Sequence, residues 1–528
     1  MSKFNILTLA AAGAAAILLT STANADRLIT KNGRSLEGKV TKKDKVYHIK
    51  LQTAELEIHE DLVKEVVIEG DMSDYVPKDA KEKEMLEKGF VKYRNGWMKK
   101  EQYQAELAKE NAKRKKILEE EAKHLQFADG WKFETKHFTF QGNCPKPILD
   151  DLASLLEEYY EYMNKHIGMK ASAAAKKKML VQVYRDSEDY QKSGGAPGGT
   201  AGYFSDMQET LNFYYVFDDE SFTRYVMLHE GTHLLTYLAN PKFEPPSWIN
   251  EGMAEYFGSA RVTGERGKRK MEPGQLLDNR LLLLQEMEKE RYIPLDKWLA
   301  YSSSYAETSN NKGNVYEHYA YWWGFCHFAC TNKKYSQKFF AYFRDLYNLQ
   351  GFEAKTGYGG LATGGISKSV DAKHYTEKLL TYLGVKDIKK LDEEFRAWIK
   401  AQESVGARGY FVVGRDFVFA GKFDEALEKL TTAIDKGYDT AETFAYRSRA
   451  WMRKGQRDKA VADLRQAIQR NPVEADYRDS LSFYLSMNKS TKAEAIEQLK
   501  IACELDPYSP WLQSKLKDML AEDTEKKE

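Results

Sequence analysis

The sequence predicts an α+β multidomain chain, on three observations. Short alternating runs fill residues 26–76, strand-like and helix-like runs alternate through 129–404, and a 34-residue period marks 405–522. These correspond to a small β-barrel-like module, a mixed α+β domain and an all-α array. A Lys- and Glu-rich connector at 77–128 follows the β module. At 528 residues the chain is too long for one hydrophobic core.

The elements follow in order. Lys3, an apolar run and the small residues Ala23 to Ala25 predict a signal peptide over 1–25, cleaved before Asp26. No Cys lies at the cut, which argues against a lipid anchor. The segment 26–76 carries several five-residue β runs and a turn at Asn32-Gly33. In the connector, "FVKYRNGWMKKEQY" predicts a hairpin turning at Asn95-Gly96, and the charged stretch after it a solvated helix. From Trp131, "WKFETKHFTFQ" reads as a strand and "PILDDLASLLEEYYEYMNKHIG" as an amphipathic helix. "KMLVQVYRD" and "TLNFYYVFD" read as further strands, separated by a glycine-rich loop at Gly194 to Gly202. That loop lacks both a phosphate-loop ending and a dinucleotide spacing, and reads as a flap or a plain surface loop.

In the last part, Gly421, Ala426, Ala433 and Ile434 recur 34 residues later as Gly455, Ala460, Ala467 and Ile468. A third copy follows with one inserted residue. Small residues where helices approach closely, with Pro after the second helix, resemble tetratricopeptide (TPR) repeats.

Composition narrows the functional classes. The chain has 80 basic and 79 acidic side chains and a net charge of +1, which argues against nucleic acid or an acidic membrane recognised by bulk charge. No run after the leader is long and apolar enough for a membrane span. Four cysteines are too few for a disulfide scaffold, and Cys326 and Cys330 read as small buried hydrophobes.

The chemistry concentrates in "YVMLHEGTHLLTYLANPKFEPPSWINEGMAEYF", Tyr225 to Phe257. On a helix His229 and His233 share a face and can bind one metal ion. Glu230 sits where its carboxylate can reach water on that ion, which is the logic of H-E-x-x-H. A catalytic zinc needs a third protein ligand and one open position. Pro245 and Pro246 close the connecting loop, and a second helix starting near Trp248 brings back Glu251, the expected third ligand. Glu255, one turn on, shares its face and is placed to orient a ligand histidine.

"HEGTH" followed by "WINEGMAEYF" resembles the gluzincin metallopeptidases. More narrowly, residues 129–400 resemble bacterial proteins of the DUF1570, or peptidase MA-like, type. The resemblance implies a zincin-like metallopeptidase domain and Zn2+ held by His229, His233 and Glu251, with Glu230 as general base. It also implies a Tyr or His that donates to the oxyanion. In "VYEHYAYWWGFCHFA" the candidates are Tyr316, His318 and Tyr319, with Tyr319 preferred. "TLNFYYVFD" takes the place of the substrate-aligning edge strand.

The function expected is an exported zinc metallohydrolase, periplasmic or extracellular, cleaving a peptide or protein substrate. The repeat groove is expected to take a protein partner. The alternatives are a catalytically silent zincin–TPR scaffold in the cell envelope and an amidase acting on cell-wall peptides.

Overall fold

The computed structural model describes residues 26–30, 35–67, 77, 79–93, 96–171, 178–194, 200–216, 220–241, 243, 245–299, 315–348, 372–403, 405–506 and 509–524. The expected leader at 1–25, the expected turn at Asn32-Gly33, Asn95 and most of the glycine loop lie outside them. Two compact units emerge, one of residues 1–122 with 414–528 and one of 123–413.

The first unit begins with β1 (Asp26–Thr30), β2 (Ser35–Lys43), β3 (Val46–Lys50), β4 (Glu55–His59) and β5 (Val63–Val67). They form one antiparallel sheet in the order β4-β3-β2-β1-β5. β4 and β5 end the order, so the expected barrel is an open sheet among the described residues. Helix α1 (Ala80–Glu87), the hairpin β6 (Phe90–Tyr93) and β7 (Gly96–Lys99), and α2 (Lys100–Ala122) complete this part.

The second unit carries a mixed sheet. "WKFETKHFTFQ", read as one strand, is a hairpin: β8 (Trp131–Glu134) and β9 (Phe138–Gly142) pair antiparallel. Thr135 makes the bend, its backbone N–H donating to the Phe138 carbonyl at 2.9 Å. Helix α3 (Lys146–Tyr162) buries Leu149, Leu152, Leu155, Leu156 and Tyr159 at helical spacing. Strand β10 (Met179–Tyr184) and helix α4 (Ser187–Gly194) precede β11 (Gly202–Ser205) and β12 (Thr210–Tyr214). The order is β11-β12-β10-β9-β8, with β10 parallel to both β9 and β12.

This order corrects the edge-strand expectation. β12 is paired on both sides and its first four residues are buried; the edge is the shorter β11. The apolar content of "TLNFY" belongs to a strand covered on both faces.

Helices α5 (Glu220–Ala239) and α6 (Ser247–Gly258) follow, then the hairpin β13 (Arg261–Thr263) and β14 (Lys270–Glu272), which Arg269 pins to Glu158 of α3 (3.0 Å). Next come α7 (Asp278–Glu290), α8 (Val315–Thr331), α9 (Ser336–Tyr347), α10 (Ala372–Leu383) and α11 (Ile388–Ala401). α6 is buried almost all round and lies tight against α8. A Cβ on Gly252 would stand 2.5 Å from the Trp322 carbonyl and 2.6 Å from Cys326 Sγ. The carbonyl is backbone and cannot swing away, so only Gly fits. Gly252→Ala is expected to cost about 1–3 kcal/mol, read as a lower urea midpoint by tryptophan fluorescence. An unchanged midpoint would show that α6 and α8 can part at no cost.

The chain closes with α12 (Ala407–Phe419), α13 (Phe423–Asp435), α14 (Ala441–Arg453), α15 (Arg457–Arg470), α16 (Ala475–Ser486), α17 (Lys492–Leu505) and α18 (Pro510–Thr524). Ala426, Ala460 and Ala495, the recurring small residues, are wholly buried, and so are Ala433, Ala467 and Ala502. From α13 on, each helix packs on its sequence neighbours, the quasi-linear pattern of TPR-like repeats. The N-terminal sheet shares a core with the end of this array: Leu28, Leu36, Ile49 and Ile58 pack with Leu499, Ile501 and Leu512. Gln52 N–H donates to Glu504 at 2.7 Å across the same seam. That seam covers the sheet's apolar face, which a closed barrel would have buried against itself.

Candidate metal centre

Helix α5 brings His229 and His233 to one face, with ring centroids 5.1 Å apart. Pro246 precedes the first turn of α6, and its carbonyl accepts from Ile249 and Asn250 at 3.1 Å each. A proline there loses no helical hydrogen bond. The turn carries Glu251 back over the imidazoles. Glu251 Oε2 lies 3.4 Å from His229 Nε2 and 3.5 Å from His233 Nε2. Ligand atoms of the three residues all fall within 4.8 Å of one another.

Two observations test whether these residues fit a metal ion. Tetrahedral zinc with bonds of 2.0–2.2 Å sets its ligand atoms about 3.4 Å apart, and both imidazole–carboxylate distances match that. Glu251 Oε2 is also buried with no hydrogen-bond partner, an arrangement that costs free energy unless a cation meets it. The donor set, two imidazoles and one carboxylate, suits zinc chemically. The local field favours positive charge. Burial opposes protonation of His233, yet the Glu251 and Glu230 carboxylates outweigh it and hold its pKa up at about 9. Burial likewise works against an ionised Glu251, but the two imidazoles hold its carboxyl well below the usual range. In the metal-free chain a proton therefore competes for the cation position.

The surroundings orient these groups. His233 Nδ1 faces Asn250 Oδ1 at 3.3 Å, and Tyr347 donates to the same oxygen at 3.1 Å. This directs Nε2 of His233 at Glu251. His229 Nδ1 points toward Glu255 Oε1 at 3.9 Å, too far for a hydrogen bond. The main partner of Glu255 is Arg280 on α7, whose Nη2 and Nε donate at 2.8 and 3.3 Å.

Glu230 reaches the sheet edge. Its Oε2 accepts the Phe204 backbone N–H of β11 at 3.0 Å. Gly202 permits the approach, since a Cβ there would stand 2.6 Å from Val226 Cγ1. Tyr319 of α8 completes the group. Burial, then the charges of Glu251, Glu255 and Glu230, push its phenol well above its ordinary pKa, and the Arg280 guanidinium lies 5.1 Å from its ring centre. His318, the preceding residue, packs on Trp322 with ring centroids 5.7 Å apart, and burial lowers its pKa. The Tyr316 side chain lies outside the described residues.

The structure thus brings Glu230, Tyr319 and Glu255 around the three ligand candidates. Sequence reading missed Asn250, Tyr347 and Arg280. Arg280 had a signal: a lone Arg followed by four leucines in "DNRLLLLQEM", where burial demands a carboxylate partner.

Comparison with known proteins adds one family. Residues 225–352 match DUF1570, a family of proteins of unknown function. The DUF1570 segment opens at Tyr225, one turn before His229, and contains the ligand candidates, Glu255, Arg280 and Tyr319. No curated protein matches the chain in sequence. Solved structures similar to it include the first TPR of Spaghetti bound to an HSP90 peptide, at 19% identity over 23% of this chain and 96% of that one, TM-score 0.22. The Yersinia enterocolitica type III secretion chaperone SycD, in complex with a peptide of the translocator YopD, matches at 20% identity over 23% of this chain and 94% of that one, TM-score 0.22. YrrB, a TPR protein with an unusual peptide-binding site, matches at 14% over 40% of this chain and 96% of that one, TM-score 0.22.

Proposed function

We propose that the second unit is a zinc-dependent hydrolase of peptide bonds with a zincin-like active site, in a chain exported through its N-terminal leader. The observation that carries this reading is the placement of Glu251 Oε2 at 3.4 and 3.5 Å from two imidazole Nε2 atoms. A zinc held by His229, His233 and Glu251 would supply a Lewis acid and lower the pKa of water at its open position. The chain's own groups do the rest. Glu230 accepts the proton of the attacking water and delivers it to the leaving amine. Tyr319 donates a hydrogen bond to the oxygen that gains charge. Edge strand β11 pairs with an extended substrate and aligns its carbonyl. Asn250 and Tyr347 hold His233 so that its ring does not turn away.

Zinc content tests the reading. Purified residues 26–528 are expected to carry about one zinc per chain, and Glu251→Gln to lose most of it, since a neutral amide is a far weaker ligand than a carboxylate. A parent protein without zinc after metal reconstitution would overturn the assignment.

The TPR-like array and the match to a family of unknown function favour a second reading, a scaffold that binds protein partners while the metal centre stays silent. Zinc retained with no cleavage of a mixed peptide library would select it. Products confined to cell-wall peptides would select the amidase version of the same chemistry.

A further inference from the structure

The repeat register places two rows of side chains across alternate helices of the array, α12, α14 and α16. Arg415, Arg449 and Phe483 are 34 residues apart, and so are Phe419, Arg453 and Met487. Within each helix the two members are four apart and share a face. The rows are in physical contact. Phe419 of α12 meets Tyr446 of α14 with ring centroids 5.7 Å apart, and Arg449 lies over the Tyr446 ring at 5.0 Å. Burial raises the pKa of Tyr484 on α16, and the charges of Arg449 and Arg453 act against that rise. Large apolar side chains stay in solvent here: Phe419 is 47%, Phe483 48% and Met487 51% exposed. Exposed apolar groups gathered in this way mark an interaction surface.

Charge narrows the occupant. Among the described residues neither Arg449 nor Arg453 has a carboxylate partner, whereas neighbouring cations do: Arg447 pairs with Asp463 and Lys515 with Asp479. Two unmatched guanidinium groups at the middle helix therefore lie between apolar groups on the helices to either side.

We infer that this face binds an extended protein segment with an acidic residue at its centre and a large apolar residue on each side of it. The carboxylate meets Arg449 and Arg453; one apolar side chain packs on Phe419, the other on Phe483 and Met487. An anionic membrane is the weaker fit, because the chain's net charge is only +1 and acidic groups such as Asp479 border the face. The inference rests on the array acting as a binding module and is independent of the metal.

The test is selection of random peptides on residues 26–528, followed by fluorescence anisotropy of the enriched sequences. The expected result is enrichment of the order apolar–acidic–apolar, with binding weakened about tenfold or more in Arg449→Glu/Arg453→Glu. Both arginines are exposed, so an unchanged melting curve is expected. Arg449→Gln/Arg453→Gln gives the same readout should the reversal disturb folding. Three outcomes would overturn the inference: no enriched peptide, enriched peptides that bind both forms equally, or Arg-dependent binding to phosphatidylglycerol vesicles without peptide binding. A zinc-free preparation that still selects peptides would separate this result from failure of the hydrolase reading.

Discussion

Glu230→Gln is expected to keep about one zinc per chain and lose peptide cleavage by about 10²–10⁴-fold, the usual contribution of a positioned general base. The separation of the two effects follows from geometry. Glu230 is not among the three groups whose ligand atoms cluster, so its substitution leaves the proposed ligand set intact. Its Oε2 instead accepts the Phe204 N–H on the edge strand, and a Gln amide oxygen can accept the same bond. The substitution therefore removes proton-accepting capacity while retaining the contact between α5 and β11. The measurement pairs elemental analysis with mass spectrometry of a digested peptide library. Cleavage at the parent rate would remove Glu230 from the mechanism. Joint loss of zinc and activity would mean that Glu230 supports the ligands rather than the reaction.

The same contact explains a part of the site that the residues did not disclose. "HEGTH" fixes its own geometry, because helical periodicity alone brings His229 and His233 together. Glu251 needs only a short loop and a helix start, and Pro245-Pro246 announces both. Strand order is a different kind of fact. "TLNFY" reads as a strand and "GYFS" as the end of a glycine-rich loop, and local pattern does not say that the second pairs with the first and covers it. The four residues between them, Asp206 to Glu209, turn a hairpin, and only the pairing of β12 with β10 leaves the glycine-flanked strand at the edge. Likewise the apolar face of the 26–67 sheet calls for a cover, but nothing within that segment says that Leu499 and Leu512, more than 400 residues away, provide it. Long-range pairing of this sort leaves no periodic trace. Burial of Arg280 lies between the two cases: its leucine neighbours reveal that it is buried, whereas its partner, Glu255, is fixed only by the fold.

That pair sets the second large effect. Arg280 and Glu255 are 8% and 1% exposed, and two hydrogen bonds join them. Arg280→Met keeps most of the volume but leaves the Glu255 carboxylate buried without its cation. Breaking a buried ion pair from one side costs about 3–5 kcal/mol. The loss is expected as a large fall in the urea midpoint of the second unit. Removing both charges is expected to be milder, because a neutral pair leaves no uncompensated charge. Arg280→Met/Glu255→Gln should therefore recover at least half of the single-variant loss, a coupling that a double-mutant cycle measures directly. The consequence extends to the metal. Glu255 is the carboxylate nearest His229 Nδ1, and Arg280 lies over the ring of Tyr319. One guanidinium thus contacts both the carboxylate behind the proposed ligand His229 and the proposed oxyanion donor. Zinc affinity in Arg280→Met is expected to fall about 10–100-fold, as for loss of other groups that orient metal ligands. Additive stability losses, or a single variant as stable as the parent, would show that the two side chains are neighbours without coupling, and the orienting role of Arg280 would fall with it.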